Sequence, residues 1–269
     1  MMIALIRKYN VLLRMEWAVM IAYRSESIIW MLGAFIQPLV SLAVWLSIND
    51  SGYSTGYTAR EYMLYFIGVL VVERLTRSWD VWELDHDIRE GTMSAKMLRP
   101  FHPAHWSLAA NLVYKLFFTM VLIPAWIVLA MIFPALRLPI DIYGVLLVLL
   151  SLFLSSVIRF LIGYEFGMIA FWSNKATSIY MLYEGIHLFM AGRIAPLSLF
   201  PDVVADLARW LPFYPTVGFP VELMMGKFND RPDLIIWNVL LQAGWVLVFL
   251  LIFRFMWRSG VKQYGAVGG

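Results

Sequence analysis

The sequence predicts an all-α polytopic membrane protein, and three observations carry that prediction. The 269 residues are 61% hydrophobic and only 14% charged, against roughly 45–50% apolar and about 25% charged in soluble domains. Mean hydropathy is +0.73. The apolar residues fall into separate runs near the length of about 20 that crosses a bilayer, which leaves little chain for a soluble catalytic domain.

Six spans are expected. Residues 1–26 carry Ile3, Leu5, Ile6, Val11, Leu12 and Trp17, broken at helical spacing by Arg7, Lys8, Arg14 and Glu16. This pattern describes an amphipathic helix lying in the interface. It lacks the uninterrupted apolar core and cleavage site of a signal peptide. The first span is Ser27–Ile48, uncharged and interrupted only by Gln37 and Pro38, a proline that a membrane helix tolerates. Asn49–Arg60 is a polar loop.

The second span starts at Tyr62 and must absorb Glu73, Arg74 and Arg77 to reach Trp82. Residues 83–107 are charged and punctuated by Gly91, Pro100 and Pro103, so they leave the bilayer. Leu112–Phe133 is the third span, with Lys115 placed to snorkel. Ile142–Trp172 exceeds one bilayer crossing and reads as a tilted or broken fourth span. After the turn Trp172–Lys175 a fifth span starts at Ala176. Apolar clusters within 192–233 alternate with Pro196, Pro201, Pro212, Pro215 and Pro220, which predicts short re-entrant helices on the external side. Leu234–Trp257 is the last span and 258–269 a cytoplasmic tail. Residues 27–257 thus form the transmembrane domain.

Orientation follows from Lys and Arg near the span ends. With a cytoplasmic N-terminus fourteen lie inside and six outside, Arg159 being within a span. An even number of spans then returns the C-terminus to the same side. The expected location is the inner or plasma membrane, multi-pass, with both termini cytoplasmic.

Several chemistries are excluded by missing residues. Cysteine is absent, which removes disulfides, thiolate metal sites and a Cys nucleophile. No GxxxxGK[ST] occurs, so no P-loop cradles a nucleotide. An activated serine would need a histidine base, and three of the four histidines, His86, His102 and His105, lie in the charged segment 83–107. The basic residues are scattered, which argues against a nucleic-acid partner. His102 and His105 are separated by Pro103 and have no third ligand near them, and Glu184-x-x-His187 is only half of a di-iron pattern, so no metal site is expected. Arg159, Glu165, Glu184 and His187 lie at bilayer depth. Ionisable groups there either line a translocation path or close an internal ion pair.

The segment from Asp85 through Asp87, Ile88, Arg89, Glu90, Gly91 and Thr92 to Leu98, Arg99 and Pro100 mixes charges with Ile88, Met93, Met97 and Leu98. It reads as a short amphipathic helix broken at Gly91 and stopped at Pro100, or as a plain connector. Ile88-Arg-Glu-Gly-Thr-Met-Ser-Ala-Lys-Met-Leu-Arg-Pro100 resembles the loop between the second and third spans of ABC-2 type transporter permeases. Phe171-Trp172, Gly192-Arg-Ile-Ala-Pro-Leu-Ser-Leu-Phe-Pro201, Leu211-Pro-Phe213, Pro220 and Gly226 are similar to later parts of the same family. The resemblance implies a permease subunit of an ATP-driven exporter, with no catalytic residue or cofactor of its own. ATP and Mg would be bound by separately encoded ATPase subunits, pushing on Asp87, Ile88, Arg89, Glu90, Gly91, Thr92, Leu98, Arg99 and Pro100. It also implies a second permease subunit, a related chain or a copy of itself, within the lipid bilayer. The competing expectation is a secondary transporter relaying ions through Arg159, Glu165, Glu184 and His187.

Overall fold

The computed structural model describes residues 2–53, 55–99 and 101–267, with side chains from Arg7 to Tyr264. Among the described residues the regular structure is helical, with no strand. The helices are α1 (Met2–Ala22), α2 (Arg24–Asp50), α3 (Ala59–Thr76), α4 (Asp80–Arg89), α5 (Met93–Met97), α6 (Ala104–Ile132), α7 (Ile142–Met168), α8 (Ala176–Met190), α9 (Asp202–Trp210), α10 (Gly218–Met224) and α11 (Pro232–Val267).

Four of them are long and apolar enough to cross a membrane: Arg24–Asp50, Ala104–Ile132, Ile142–Phe171 and Pro232–Tyr264. Their outward faces carry exposed Ile29, Trp30, Ile36, Met120, Met131, Leu146, Phe153, Leu251 and Phe255. Apolar surface on that scale marks a lipid or protein contact. α3 and α8, expected to be the second and fifth spans, are shorter, at 18 and 15 residues.

Boundaries differ from the sequence reading at four places. α2 begins at Arg24, because the break falls at Tyr23. The segment 83–107 contains parts of α4 and α6 with α5 between them, and α6 begins at Ala104 instead of Leu112. The polar residues at 105–111 face protein: Ser107 and Asn111 are buried, and Asn111 donates 2.7 Å to Asp80. The last helix continues through Val267. Gly260 permits this, since a β-carbon there would stand 2.2 Å from the Phe171 ring.

α7 is the central element, packed by α11, α4, α3, α10 and α8. Lipid tails are as apolar as leucine, so helices in a bilayer associate through close backbone approach and hydrogen bonds. α7 supplies both on one i, i+4 row: Ser151, Ser155, Arg159, Gly163 and Gly167. Gln242 of α11 donates to the hydroxyls of Ser151 (2.9 Å) and Ser155 (3.0 Å) and to the Pro215 carbonyl (2.7 Å). Gly163 and Gly167 let the α3–α4 junction settle on α7. A β-carbon at Gly163 would stand 3.1 Å from Ser78 Oγ, and one at Gly167 2.9 Å from Leu84.

Two apolar cores result. One gathers Tyr62, Tyr65, Phe66, Val69, Phe219 and Val221; the other, towards the opposite end of α7, gathers Leu84, Ile88, Met93, Tyr164, Met168 and Phe171. Glu73 and Arg159 lie between them along α3 and α7.

Candidate functional site

Two constellations stand out. The first is the buried charge cluster between the two cores. Arg159 pairs with Glu73 of α3 and reaches Glu184 of α8 at 3.3 Å. Arg193, just beyond α8, contacts Glu184 at 3.1 Å and Glu73 at 3.3 Å. Arg77 adds a looser contact to Glu184 at 3.9 Å. Two carboxylates and two guanidinium groups therefore alternate around a ring, with Arg193 Nε buried and without a hydrogen-bond partner among the described residues. His187 shares this site without closing the ring: its Nε2 lies 2.9 Å from Thr216 Oγ1 and its Nδ1 3.4 Å from Arg193.

The tight turn at Trp172–Lys175 sets α7 and α8 side by side, which brings Arg159 and Glu184 to similar depth. Glu73 and Arg193 were not among the candidates. A charge near the end of a marginal span (Glu73), or just past the end of another (Arg193), reads as a boundary residue in a linear sequence. Glu165, grouped with this cluster by depth, stands apart. It is six residues beyond Arg159, about 120° around the helix; it lies within reach of the Phe253 backbone of α11, and its Oε1 has no hydrogen-bond partner among the described residues.

The second constellation is an open groove of about 1130 Å³ at the far end of the second core. One wall is the elbow between α4 and α5, where Gly91 takes φ 78°. That left-handed conformation costs glycine little and reverses the chain in a few residues. The other wall is Phe171, Trp172 and, from α11, Tyr264. α4 is amphipathic: Val81, Leu84, Asp85 and Ile88 are buried, while Trp82, His86 and Arg89 are exposed.

The elbow is internally braced. Asp87, 8% exposed, accepts a hydrogen bond from Thr92 Oγ1 at 2.8 Å and pairs with Lys96. Lys96 also reaches Glu83 at 2.9 Å. Burial opposes the Lys96 ammonium, but its hydrogen bonds to Asp87 and the charge of Glu83 outweigh that and hold it above the ordinary lysine range. Below the elbow, the buried Asp80 carboxylate accepts hydrogen bonds from Ser78 Oγ and from Asn111 Nδ2 at 2.7 Å.

Of the residues expected to meet an ATPase, the structure thus divides two kinds. Arg89, Glu90, Gly91, Thr92, Leu98 and Arg99 are exposed, Leu98 at 88%. Asp87 and Ile88 are buried and hold the elbow. Pro100 lies outside the described residues. The groove's second wall and the Gly163-x-x-x-Gly167 seat of α4 were not read from the sequence, although small residues four apart in an apolar run are a packing signal.

That seat yields a prediction. Gly167→Val drives two methyls into Leu84 and should cost about 1–3 kcal/mol by overpacking, read as a lower melting midpoint in detergent. Gly185 has nothing within 4 Å of its β-carbon position. Gly185→Ala should therefore be neutral or gain up to about 1 kcal/mol from helix propensity. Equal melting of the two variants would show that α4 does not rest on Gly167.

No curated protein matches the chain. The family model for ABC-2 family transporter proteins matches residues 29–268. That span takes in both constellations and nearly all of the helical bundle, so the chain belongs to the ABC-2 transporter family of membrane proteins.

Proposed function

We propose that the chain is a permease subunit of an ATP-driven exporter, forming a translocation path and coupled through 85–100 to a separate ATPase. The observation that carries this reading is the braced elbow. An exposed tip, Arg89–Thr92 with Leu98, stands on a helix seated by glycine on the central helix of the bundle, so force on the tip reaches α7 directly. With no P-loop here, ATP and Mg belong to the partner. Those ATPase subunits dock in the groove, and a second permease chain completes the complex.

In this reading six helices cross the inner or plasma membrane, α3 and α8 joining the four long ones, with both termini cytoplasmic. α8 spans about 22 Å at 1.5 Å per residue, short of the roughly 30 Å hydrocarbon core. The chain therefore turns back within the bilayer, and α9 and α10 form the re-entrant external segment. α1 lies in the cytoplasmic interface. The charge ring favours structure over an ion relay, because its carboxylates are already held by arginines.

Purification from membranes with all bound subunits tests this reading. A P-loop subunit should co-purify, and the chain alone should hydrolyse no ATP. With no native cysteine to interfere, Thr55→Cys should react with an impermeant thiol reagent from outside and Ser94→Cys only from inside. Labelling of both from one side, or transport without an ATPase, would overturn the proposal.

A further inference from the structure

The nine residues of α9 divide into three sectors. At about 100° per residue, Val203, Leu207 and Trp210 share one arc, Ala205 and Ala208 lie opposite, and Asp202, Asp206 and Arg209 occupy a flank between them. Burial follows the same division. The two alanines are buried, and α9 packs on α8 and on the turn at Tyr214–Thr216. Asp206 and Arg209 are exposed and pair with each other at 2.9 Å. Val203, Leu207 and Trp210 are each more than half exposed.

The apolar arc continues onto α11. Trp210 meets Trp237 edge-on with ring centroids 5.3 Å apart. The Trp245 indole donates at 3.0 Å to the Trp210 carbonyl, one of those that the end of a helix leaves without a helical partner. On the same side of α11 as Trp237, Ile236, Leu240, Leu247 and Leu251 are exposed, and α11 is long and apolar enough to cross a membrane. Apolar area left in water costs about 25 cal/mol per Å², whereas a charged flank is costly to bring into hydrocarbon. A helix with a protein side, a charged side and an apolar side fits where protein, water and lipid meet. Tryptophan suits that boundary, being an apolar ring with one polar N–H.

We propose that Val203, Leu207 and Trp210 form a lipid-facing stripe inserted among the acyl chains of the external leaflet. Asp206 and Arg209 stay in water, and α11 holds the end of α9 through Trp237 and Trp245. The inference deepens the re-entrant reading of this segment, and only the choice of leaflet rests on the topology proposed above. Contact with acyl chains is measured without reference to side, so its failure and a failed topology are separate results.

The chain has no native cysteine, which permits a direct test. Leu207→Cys and Asp206→Cys are each labelled with bimane, and the full chain with its bound subunits is reconstituted into phosphatidylcholine vesicles. Phosphatidylcholine carrying a doxyl nitroxide high on its acyl chain should remove most of the emission at Leu207 and little at Asp206. Aqueous iodide on both sides of the membrane should do the reverse. Val203→Cys should behave as Leu207→Cys and Arg209→Cys as Asp206→Cys, which keeps the comparison decisive if one variant misfolds. Equal quenching of the two sectors by the doxyl lipid would overturn the proposal. So would protection of Leu207 and Val203 from both quenchers, which would put a protein partner on the stripe.

Discussion

Arg159→Ala is expected to be the most damaging single substitution in the bundle, lowering stability by about 3–5 kcal/mol, the usual result of removing one partner from a buried ion pair. Arg159 is 4% exposed and touches both Glu73 and Glu184. Without it two carboxylates face each other at bilayer depth with Arg193 alone between them. Arg77, a third exposed at 3.9 Å, offsets little, since screened pairs of that kind contribute about 0–1 kcal/mol.

Charge balance predicts which second substitutions rescue. Arg159→Leu with Glu73→Leu leaves Arg193 on Glu184 at 3.1 Å, and Arg159→Leu with Glu184→Leu leaves Arg193 on Glu73 at 3.3 Å. Each pair is neutral and should recover most of the loss, a coupling that a double-mutant cycle isolates. Melting midpoints in detergent measure stability, and vesicle flux measures transport. Rescued folding with normal flux makes the ring structural; rescued folding with lost or altered flux places it on the cargo path. An Arg159→Ala chain that melts like the wild type would refute the buried pair itself.

Leu98→Asp together with Arg89→Glu and Glu90→Lys should weaken docking of the co-purifying ATPase by about 30-fold or more. A buried interface anchor is worth about 2 kcal/mol or more, and each 1.4 kcal/mol is tenfold in affinity. Leu98 is 88% exposed, which nothing among the described residues explains and an apolar partner pocket would. The three sites were chosen because they are exposed. Reversing Asp87 instead would break its contacts with Thr92 and Lys96 and confuse a misfolded elbow with a lost interface. Asp87→Asn thus serves as the contrast, expected to lower melting while leaving the exposed surface intact. The readout is ATPase retained on the immobilised permease. Unchanged retention in the triple variant would make the elbow a connector only.

What the sequence by itself determined is the membrane class and the four long apolar helices. Long apolar runs become α2, α6, α7 and α11 because a bilayer leaves backbone groups no partner but the helix, and that requirement is local. The prolines of 192–233 broke the chain into short helices for an equally local reason, the missing amide hydrogen. That Arg159, Glu184 and His187 lie at a depth where charges need partners was legible too, because each falls within or beside an apolar run. Only the tertiary structure decided which charges share a site. Glu73 meets Arg159 across 86 positions, and Glu165 faces away from it although it is only about one and two-thirds turns further along the same helix. Asp87 and Arg89 look alike as letters, yet one is buried against Lys96 and the other exposed. The physical reason is that a buried charge is stable only opposite a partner, and partners are chosen by how helices pack. In this chain small residues at Gly163 and Gly167 set that packing by letting α4 approach α7 closely.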